Sequence, residues 1–100
     1  MADFIAIGDT TVDEFIELQD ASVHCDINSK QCTISMRWGD KIPFKGSTMV
    51  SGVGNAANAA VSAARLGLQS GFVSNIGIDR YGDDIMATFT REGLDTSFIT

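Results

Sequence analysis

The residues best suited to bind a small polar ligand lie in the loop Gly52–Asn58, which reads Gly-Val-Gly-Asn-Ala-Ala-Asn. Small residues let a ligand approach backbone N–H groups closely, and the N–H groups of a first helical turn have no partner within the helix. Asn55 and Asn58 are three residues apart, so they share one helix face. Because an amide both donates and accepts hydrogen bonds, the loop predicts a site for a hydroxyl-rich ligand rather than for a simple anion.

Two other interpretations of this loop stay open. In the purely structural one, Asn55 is the helix N-cap and Asn58 is a solvated residue of the first turn. In the other, Gly52–Ala57 fits the dinucleotide-binding pattern Gly-x-Gly-x-x-Ala. That pattern requires an acid about 20 residues further on, at the end of the next strand. Asp79 stands somewhat later than this, so a dinucleotide-binding domain is an alternative.

A second candidate for ligand binding is Asp13, which follows the first predicted strand at the edge where α/β sheets gather their ligands. A carboxylate there accepts charge-assisted hydrogen bonds from two neighbouring hydroxyl groups. The chain has thirteen acids, and Asp9 and Glu14 are rivals for this role. An exposed loop acid without function is the other interpretation of Asp13.

The two cysteines of the chain, Cys25 and Cys32, flank a polar turn, and His24 adjoins the first of them. Successive residues of a strand point to opposite faces, so His24 and Cys25 do not converge on a metal ion, and we predict no metal site. Two cysteines do not make a disulfide framework. We expect two free thiols packed across a hairpin.

The apolar pattern predicts the elements that must position these groups. The predicted strands are, in order, 3–9, a hairpin at 21–38, 42–50, 71–76 and one beginning at 96–99. An Ala-rich helix follows Asn55 and ends at Gly67, and a second helix covers 81–92. This order predicts an α/β domain with a small antiparallel flap. Since the last strand has only begun at the final residue, we expect a fragment of a larger domain.

Composition limits the classes of partner. One hundred residues is the size of one small domain. A net charge of −6 gives no attraction to nucleic acid or to an anionic membrane surface, and no apolar run approaches the ~18 residues of a membrane span. The first residues carry acids where a secretory signal is basic, so we expect a cytoplasmic protein.

Four ordered segments carry a family resemblance. They are Gly8–Asp13, the loop and helix Gly54–Gly67 ending in Arg-Leu-Gly, the segment Gly77–Gly82 (Gly-Ile-Asp-Arg-Tyr-Gly), and Glu92–Thr96. Together they resemble the ribokinase (pfkB) family of carbohydrate kinases, in the family's order and spacing over nearly the whole chain. The resemblance implies a three-layer α/β/α fold with a small antiparallel β lid. Residues 1–100 form a partial domain, about 13–50 form the lid, and the C-terminal ATP-binding part is absent.

By the same resemblance, the residues that contact the sugar are Asp13, Gly54, Asn55, Asn58 and, less centrally, Thr11. The implied function is transfer of a phosphoryl group from ATP to a hydroxyl of a sugar or nucleoside, with Mg²⁺ on the phosphates. The catalytic base is expected beyond residue 100, so the chain alone binds neither ATP nor Mg²⁺ and is inactive. The lid implies a homodimer. Val53 departs from the family, which has glycine there. A non-catalytic sugar-binding or dimerising module is the further alternative.

Overall fold

The computed structural model describes residues 2–28 and 30–100 of the chain. Its elements are β1 (Phe4–Ile7), β2 (Thr11–Leu18), β3 (Ser22–Cys25), β4 (Cys32–Ser35), β5 (Phe44–Val53), α1 (Asn55–Arg65), β6 (Ser70–Val73) and α2 (Arg80–Arg91). They fall into two compact units. The first unit runs through Asp13 and resumes at Met49–Thr100, and the second is Glu14–Thr48.

A parallel pair of strands forms the centre of the first unit. β1 lies beside β6 with Phe4 opposite Ser70 and Ile7 opposite Val73, and α1 packs on this pair. Along β1, Ala6 is buried while Ile5 and Ile7 are exposed, as the alternation of a strand requires. The core side chains are Ala6, Ala57, Ala60, Phe72, Ile85, Phe89 and Leu94.

Both helices end on a glycine with a positive φ angle. At the end of α1, the Gly67 N–H donates to the Ala64 carbonyl and the Leu68 N–H to the Ala63 carbonyl. Gly93 ends α2 in the same way. The φ angles of Gly67 and Gly93 are 95° and 79°, in the left-handed region that favours glycine. The predicted stop of the first helix at Gly67 is therefore confirmed.

Two strand predictions differ from the structure. The segment at 96–99 is not a strand: Ile99 forms one isolated bridge to Ser74, and the preceding Asp95 forms another to Gly71. The first strand ends at Ile7 and a separate strand, β2, begins at Thr11. Asp13 consequently lies within a strand and not in the loop that follows one.

The second unit contains the predicted hairpin. β3 and β4 pair antiparallel, with Ser22 opposite Ser35 and Cys25 opposite Cys32. The two cysteines form a disulfide bond, so the expectation of two free thiols is wrong. The two cysteines occupy facing positions of the ladder, which brings their Cα atoms to 4.0 Å and their sulfur atoms within bonding reach. β2 pairs with β5 in a further two-stranded sheet.

Among the described residues, neither helix has the length and apolar character needed to cross a membrane.

Candidate functional site

The site begins where the connection between β1 and β2 meets the start of α1. The Thr10 hydroxyl donates to the Val53 carbonyl at 3.0 Å. A Cβ atom on Gly8 would lie 2.8 Å from the Cβ of Ala56, and one on Gly54 would lie 3.4 Å from the Asp9 carbonyl oxygen. Gly54 has a φ angle of 100°, so glycine suits this position for its backbone conformation as well as for the close approach.

The amino end of α1 carries no side-chain cap. The N-cap residue is Gly54 and the first turn contains no acid, so the interpretation in which Asn55 is the N-cap is wrong: Asn55 is already the first helical residue. The N-terminus of α2 differs, because the Asp79 carboxylate accepts from the Gly82 N–H at 2.8 Å and Asp83 lies in the first turn. No side chain therefore caps the first turn of α1, whose N–H groups have no partner within the helix.

Thr11 and Asp13 lie on one face of β2, because they are two residues apart in a strand. The Thr11 hydroxyl is 3.5 Å from the Asp13 carboxylate, which is longer than a strong O–H···O bond. The same hydroxyl oxygen lies 3.5 Å from the position that a Cβ on Gly54 would take. Both side chains are exposed, so the Asp13 carboxylate keeps its capacity to accept hydrogen bonds from a ligand.

Asn55 and Asn58 are both exposed on α1. Asn58 lines a cleft of about 270 Å³ between α1, α2 and the end of β5, and the described lining includes Gly52 and Val53 but not Asp13 or Gly54. The structure thus brings Thr11, Asp13 and Gly54 together at one place. Asn58 lies further along α1, one helical turn beyond Gly54.

Gly52 is a residue of this site that sequence reasoning left unassigned. It is buried, has a φ angle of 74°, and a Cβ there would lie 3.0 Å from Phe89 Cε1 and 3.1 Å from Thr88 Cγ2. The Gly-x-Gly pattern was the available signal. Gly52 lies near the end of β5, where the absence of a Cβ lets Phe89 and Thr88 of α2 pack against the strand two residues before Gly54.

A second cleft, of about 490 Å³, opens at the carboxyl ends of the two parallel strands. Its lining includes Ile7, Gly8, Asp9, Val73 and Asn75. Ligands of open α/β sheets bind at this edge. Asp9, the rival of Asp13, belongs to this cleft.

One ion pair joins the carboxyl ends of the two helices. Arg65 Nε donates to Glu92 Oε2 at 2.9 Å and Arg65 Nη2 to Glu92 Oε1 at 2.5 Å. The Glu92 side chain is 17% exposed. The hydrogen bonds from Arg65 lower the pKa of Glu92, and those to Glu92 raise the pKa of Arg65. Nearby, hydrogen bonds from the Ser97 hydroxyl and N–H lower the pKa of Asp95.

No three His, Cys, Asp or Glu side chains within 2–28 and 30–100 converge as a set that could hold a metal ion.

Solved structures with the same arrangement are ribokinase-fold kinases. The chain aligns over 99% of its length with a nucleoside kinase of Methanocaldococcus jannaschii, an archaeal member of the ribokinase family, at a TM-score of 0.73 and 18% identity. It aligns over 97% of its length with a fructokinase from Xylella fastidiosa, at a TM-score of 0.58 and 24% identity. The predicted ribokinase-like α/β fold is confirmed.

Sequence comparison gives the family. The profile of the pfkB family carbohydrate kinases matches residues 20–100, and the chain therefore belongs to this family. The chain is 48% identical over 46 residues to a ribokinase of Haemophilus influenzae. It is 43% identical over 47 residues to a 5-dehydro-2-deoxygluconokinase of Clostridium perfringens.

The chain spans a small part of these proteins: 15% of the ribokinase, 14% of the deoxygluconokinase and 28% of the nucleoside kinase. The alternative of a dinucleotide-binding domain finds no support among these relatives. The acid that this alternative needs, Asp79, has its carboxylate engaged as the cap of α2.

Proposed function

We propose that this chain provides the acceptor-binding part of an ATP-dependent kinase that phosphorylates a hydroxyl group of a sugar or nucleoside. The observation that carries the proposal is the uncapped amino end of α1 beside the exposed Thr11–Asp13 face of β2. Family membership supports the reaction type. The kinases that match this chain are named for a sugar, a sugar derivative or a nucleoside, which supports a small polyhydroxy acceptor.

In this proposal each group has a distinct task. The Asp13 carboxylate accepts hydrogen bonds from two hydroxyl groups of the acceptor, each strengthened by its charge. The N–H groups at Gly54 and Asn55 donate to acceptor oxygens from a helix end that favours negative partial charge. Asn58 adds neutral amide contacts, and Thr11 adds a hydroxyl that donates or accepts.

The site for the phosphoryl donor is not among the tasks proposed for residues 1–100. In the family ATP supplies the phosphoryl group and a divalent metal neutralises its charge, and the proposal places the catalytic base, ATP and Mg²⁺ outside residues 1–100. We assign about residues 13–50 as a β lid and propose that a homodimer forms through it. Several apolar side chains in that segment support this, since Val23, Ile34 and Trp38 are exposed. We place the protein in the cytoplasm.

The direct test is acceptor binding by the chain, measured by calorimetry or NMR titration with a panel of pentoses, hexoses, a keto-deoxy sugar acid and nucleosides. For the acceptor that binds, Asp13→Asn weakens affinity roughly ten- to a hundred-fold, because a charged hydrogen-bonding group is lost. Asn58→Ala acts in the same direction but more weakly.

Glu14→Gln is the matched control, because Glu14 is the next acid along β2 and points to the opposite face. Wild-type affinity in Asp13→Asn, or an equal loss in Glu14→Gln, contradicts the assignment of Asp13. With ATP and Mg²⁺ added, we expect no ADP above a blank. ADP production by this chain would show that the chemistry was wrongly placed outside it.

A further inference from the structure

The hairpin β3–β4 carries a disulfide at the residue pair of its ladder nearest the turn. Cys25 faces Cys32 directly, and the bond closes a loop with a sequence separation of 7. Beyond the bond, the Asp26 N–H donates to the Gln31 carbonyl at 2.9 Å. The Asp26 carboxylate accepts from the Asn28 and Lys30 N–H groups at 3.1 and 2.9 Å. The turn therefore has its own local hydrogen bonds, and the disulfide joins the two arms behind it.

Apart from the disulfide, the two arms are joined by the four-pair ladder and by the Thr33 hydroxyl, which donates to the His24 carbonyl at 3.3 Å, and all of these contacts are exposed to solvent. Every residue of β3 and β4 is exposed, and no described residue of Glu14–Thr48 is buried. A two-stranded hairpin without a buried face is marginally stable in water. One covalent bond therefore decides a large part of whether this hairpin is ordered.

We propose that Cys25 and Cys32 form a reversible thiol–disulfide site that reacts with a dithiol reductant, and that its oxidation state sets the order of the β3–β4 hairpin. Both cysteines are exposed, so a reductant reaches the bond without unfolding of a core. The inference concerns the hairpin alone and is independent of the kinase proposal.

The reaction is an ordinary thiol–disulfide exchange. A thiolate of the reductant attacks one cysteine sulfur, the Cys25–Cys32 bond breaks, and a mixed disulfide forms. The second thiolate of the reductant then attacks the mixed disulfide and releases the cysteine. The protein gains two electrons and two protons as two thiols, and the reductant leaves as its cyclic disulfide. Oxidised glutathione reverses the change by the same exchange and is itself reduced to two thiols.

The expected size of the effect of the disulfide on hairpin order follows from chain entropy. A disulfide that closes a loop of this length shifts the equilibrium between ordered and disordered hairpin toward the ordered form by a factor of roughly several tens. In the reduced chain the hairpin amides exchange with solvent faster by about that factor. The β1–β6 pair, which is held by the core around Phe72 and Phe89, keeps its protection.

The experiment measures hydrogen exchange of the whole chain by NMR, first oxidised, then with dithiothreitol, then after return to oxidised glutathione. Thiol titration in each state reports the two cysteines. We expect protection to be lost and recovered over Ser22–Cys25 and Cys32–Ser35 and to stay unchanged over Phe4–Ile7 and Ser70–Val73. The variant with Cys25→Ser and Cys32→Ser is the control. It matches the reduced chain and does not respond to either reagent.

Two results would overturn the inference. One is a hairpin whose exchange is the same in the oxidised and reduced chains, or in the double serine variant. The other is a pair of cysteines that stays fully reduced in oxidised glutathione. Neither result depends on sugar binding, so a failure here and a failure of the proposed function are separately visible.

Discussion

At the scale of single residues, Gly52 matters because it has no Cβ, which allows α2 to pack closely against the end of β5. Its φ angle is 74° and a Cβ would meet Phe89 and Thr88 at 3.0 and 3.1 Å. We expect Gly52→Ala to lower the free energy of unfolding by about 2–4 kcal/mol, through backbone strain and overpacking. Denaturant unfolding measures it.

Gly93 offers a matched control, since its φ angle is 79° and nothing lies within 4 Å of the Cβ position. Gly93→Ala therefore carries the strain without the clash. Equal losses in the two variants would mean that the contact of position 52 with α2 adds nothing to the cost of backbone strain.

The ion pair between Arg65 and Glu92 predicts a dependence of stability on pH. The pKa of Glu92 is lower in the folded chain than its ordinary value of 4.5, chiefly through the hydrogen bonds from Arg65. Its stabilising contribution is therefore complete above pH 4.5 and is lost as the pH falls through the folded pKa. We expect the difference in unfolding free energy between pH 7 and pH 3 to be smaller in Glu92→Gln than in the wild type.

Glu17→Gln serves as the comparison for Glu92→Gln. Glu17 pairs with Lys45 at 3.9 Å, with both side chains more than half exposed, and such pairs contribute little. A pH dependence in Glu92→Gln equal to that of the wild type would show that the pair does not stabilise the fold. Asp95, whose pKa is also lowered, accounts for part of the dependence that remains.

As candidates for the site, Gly54 and Asp13 follow from general rules of ligand approach and hydrogen bonding. The packing of Phe89 beneath Gly52 does not, because these residues are far apart in the chain and no local pattern joins them. The disulfide was missed for a different reason: the sequence placed Cys25 and Cys32 across one hairpin, but a count of two cysteines and an expected cytoplasmic location argued against a disulfide bond.

At the scale of single elements, the cap of α2 is open to a direct test. The Asp79 carboxylate accepts from the Gly82 N–H at 2.8 Å. We expect Asp79→Ala to cost about 1 kcal/mol of unfolding free energy and Asp79→Asn to cost much less, because asparagine is an equally good N-cap. Thermal or denaturant unfolding of both variants measures the difference. A loss in Asp79→Asn as large as in Asp79→Ala would assign the carboxylate a role other than capping.

Elements with strong local signals were predicted well, and those that depend on partners were not. α1 and its end at Gly67 follow from alanine content and a glycine stop. β2 was missed as a strand because its residues are mostly exposed, so alternation of apolar residues is weak there. Pairing with β5 is what makes it a strand. The segment at 96–99 has the composition of a strand but forms a single isolated bridge, from Ile99 to Ser74 just beyond the end of β6.

At the scale of the whole molecule, exposed apolar side chains predict association. Val23 and Ile34 are paired across the hairpin and are 66% and 58% exposed. We expect the chain to self-associate at micromolar concentrations and its melting temperature to rise with concentration. Sedimentation velocity and thermal unfolding across a concentration series measure both.

The variant with Val23→Thr and Ile34→Thr weakens this association if it runs through the lid. Leu66→Thr is the control, since Leu66 is 83% exposed at the end of α1. An equal effect of the two changes would indicate general stickiness and count against a dimer formed by the lid. A monomer with a melting temperature independent of concentration would contradict association altogether.

The contact of α1 with the sheet has a consequence for anyone who wishes to redesign ligand preference. Ala57 and Ala60 are wholly buried, and Gly8 already meets Ala56 at a distance that leaves no room for another carbon. This interface is built from the smallest side chains. None of them can be made much smaller, and a larger side chain at any of these positions would push α1 away from the sheet. If Thr11 and Asp13 bind the acceptor as proposed, mutational libraries aimed at new acceptors belong on the exposed face of β2 that carries these two residues.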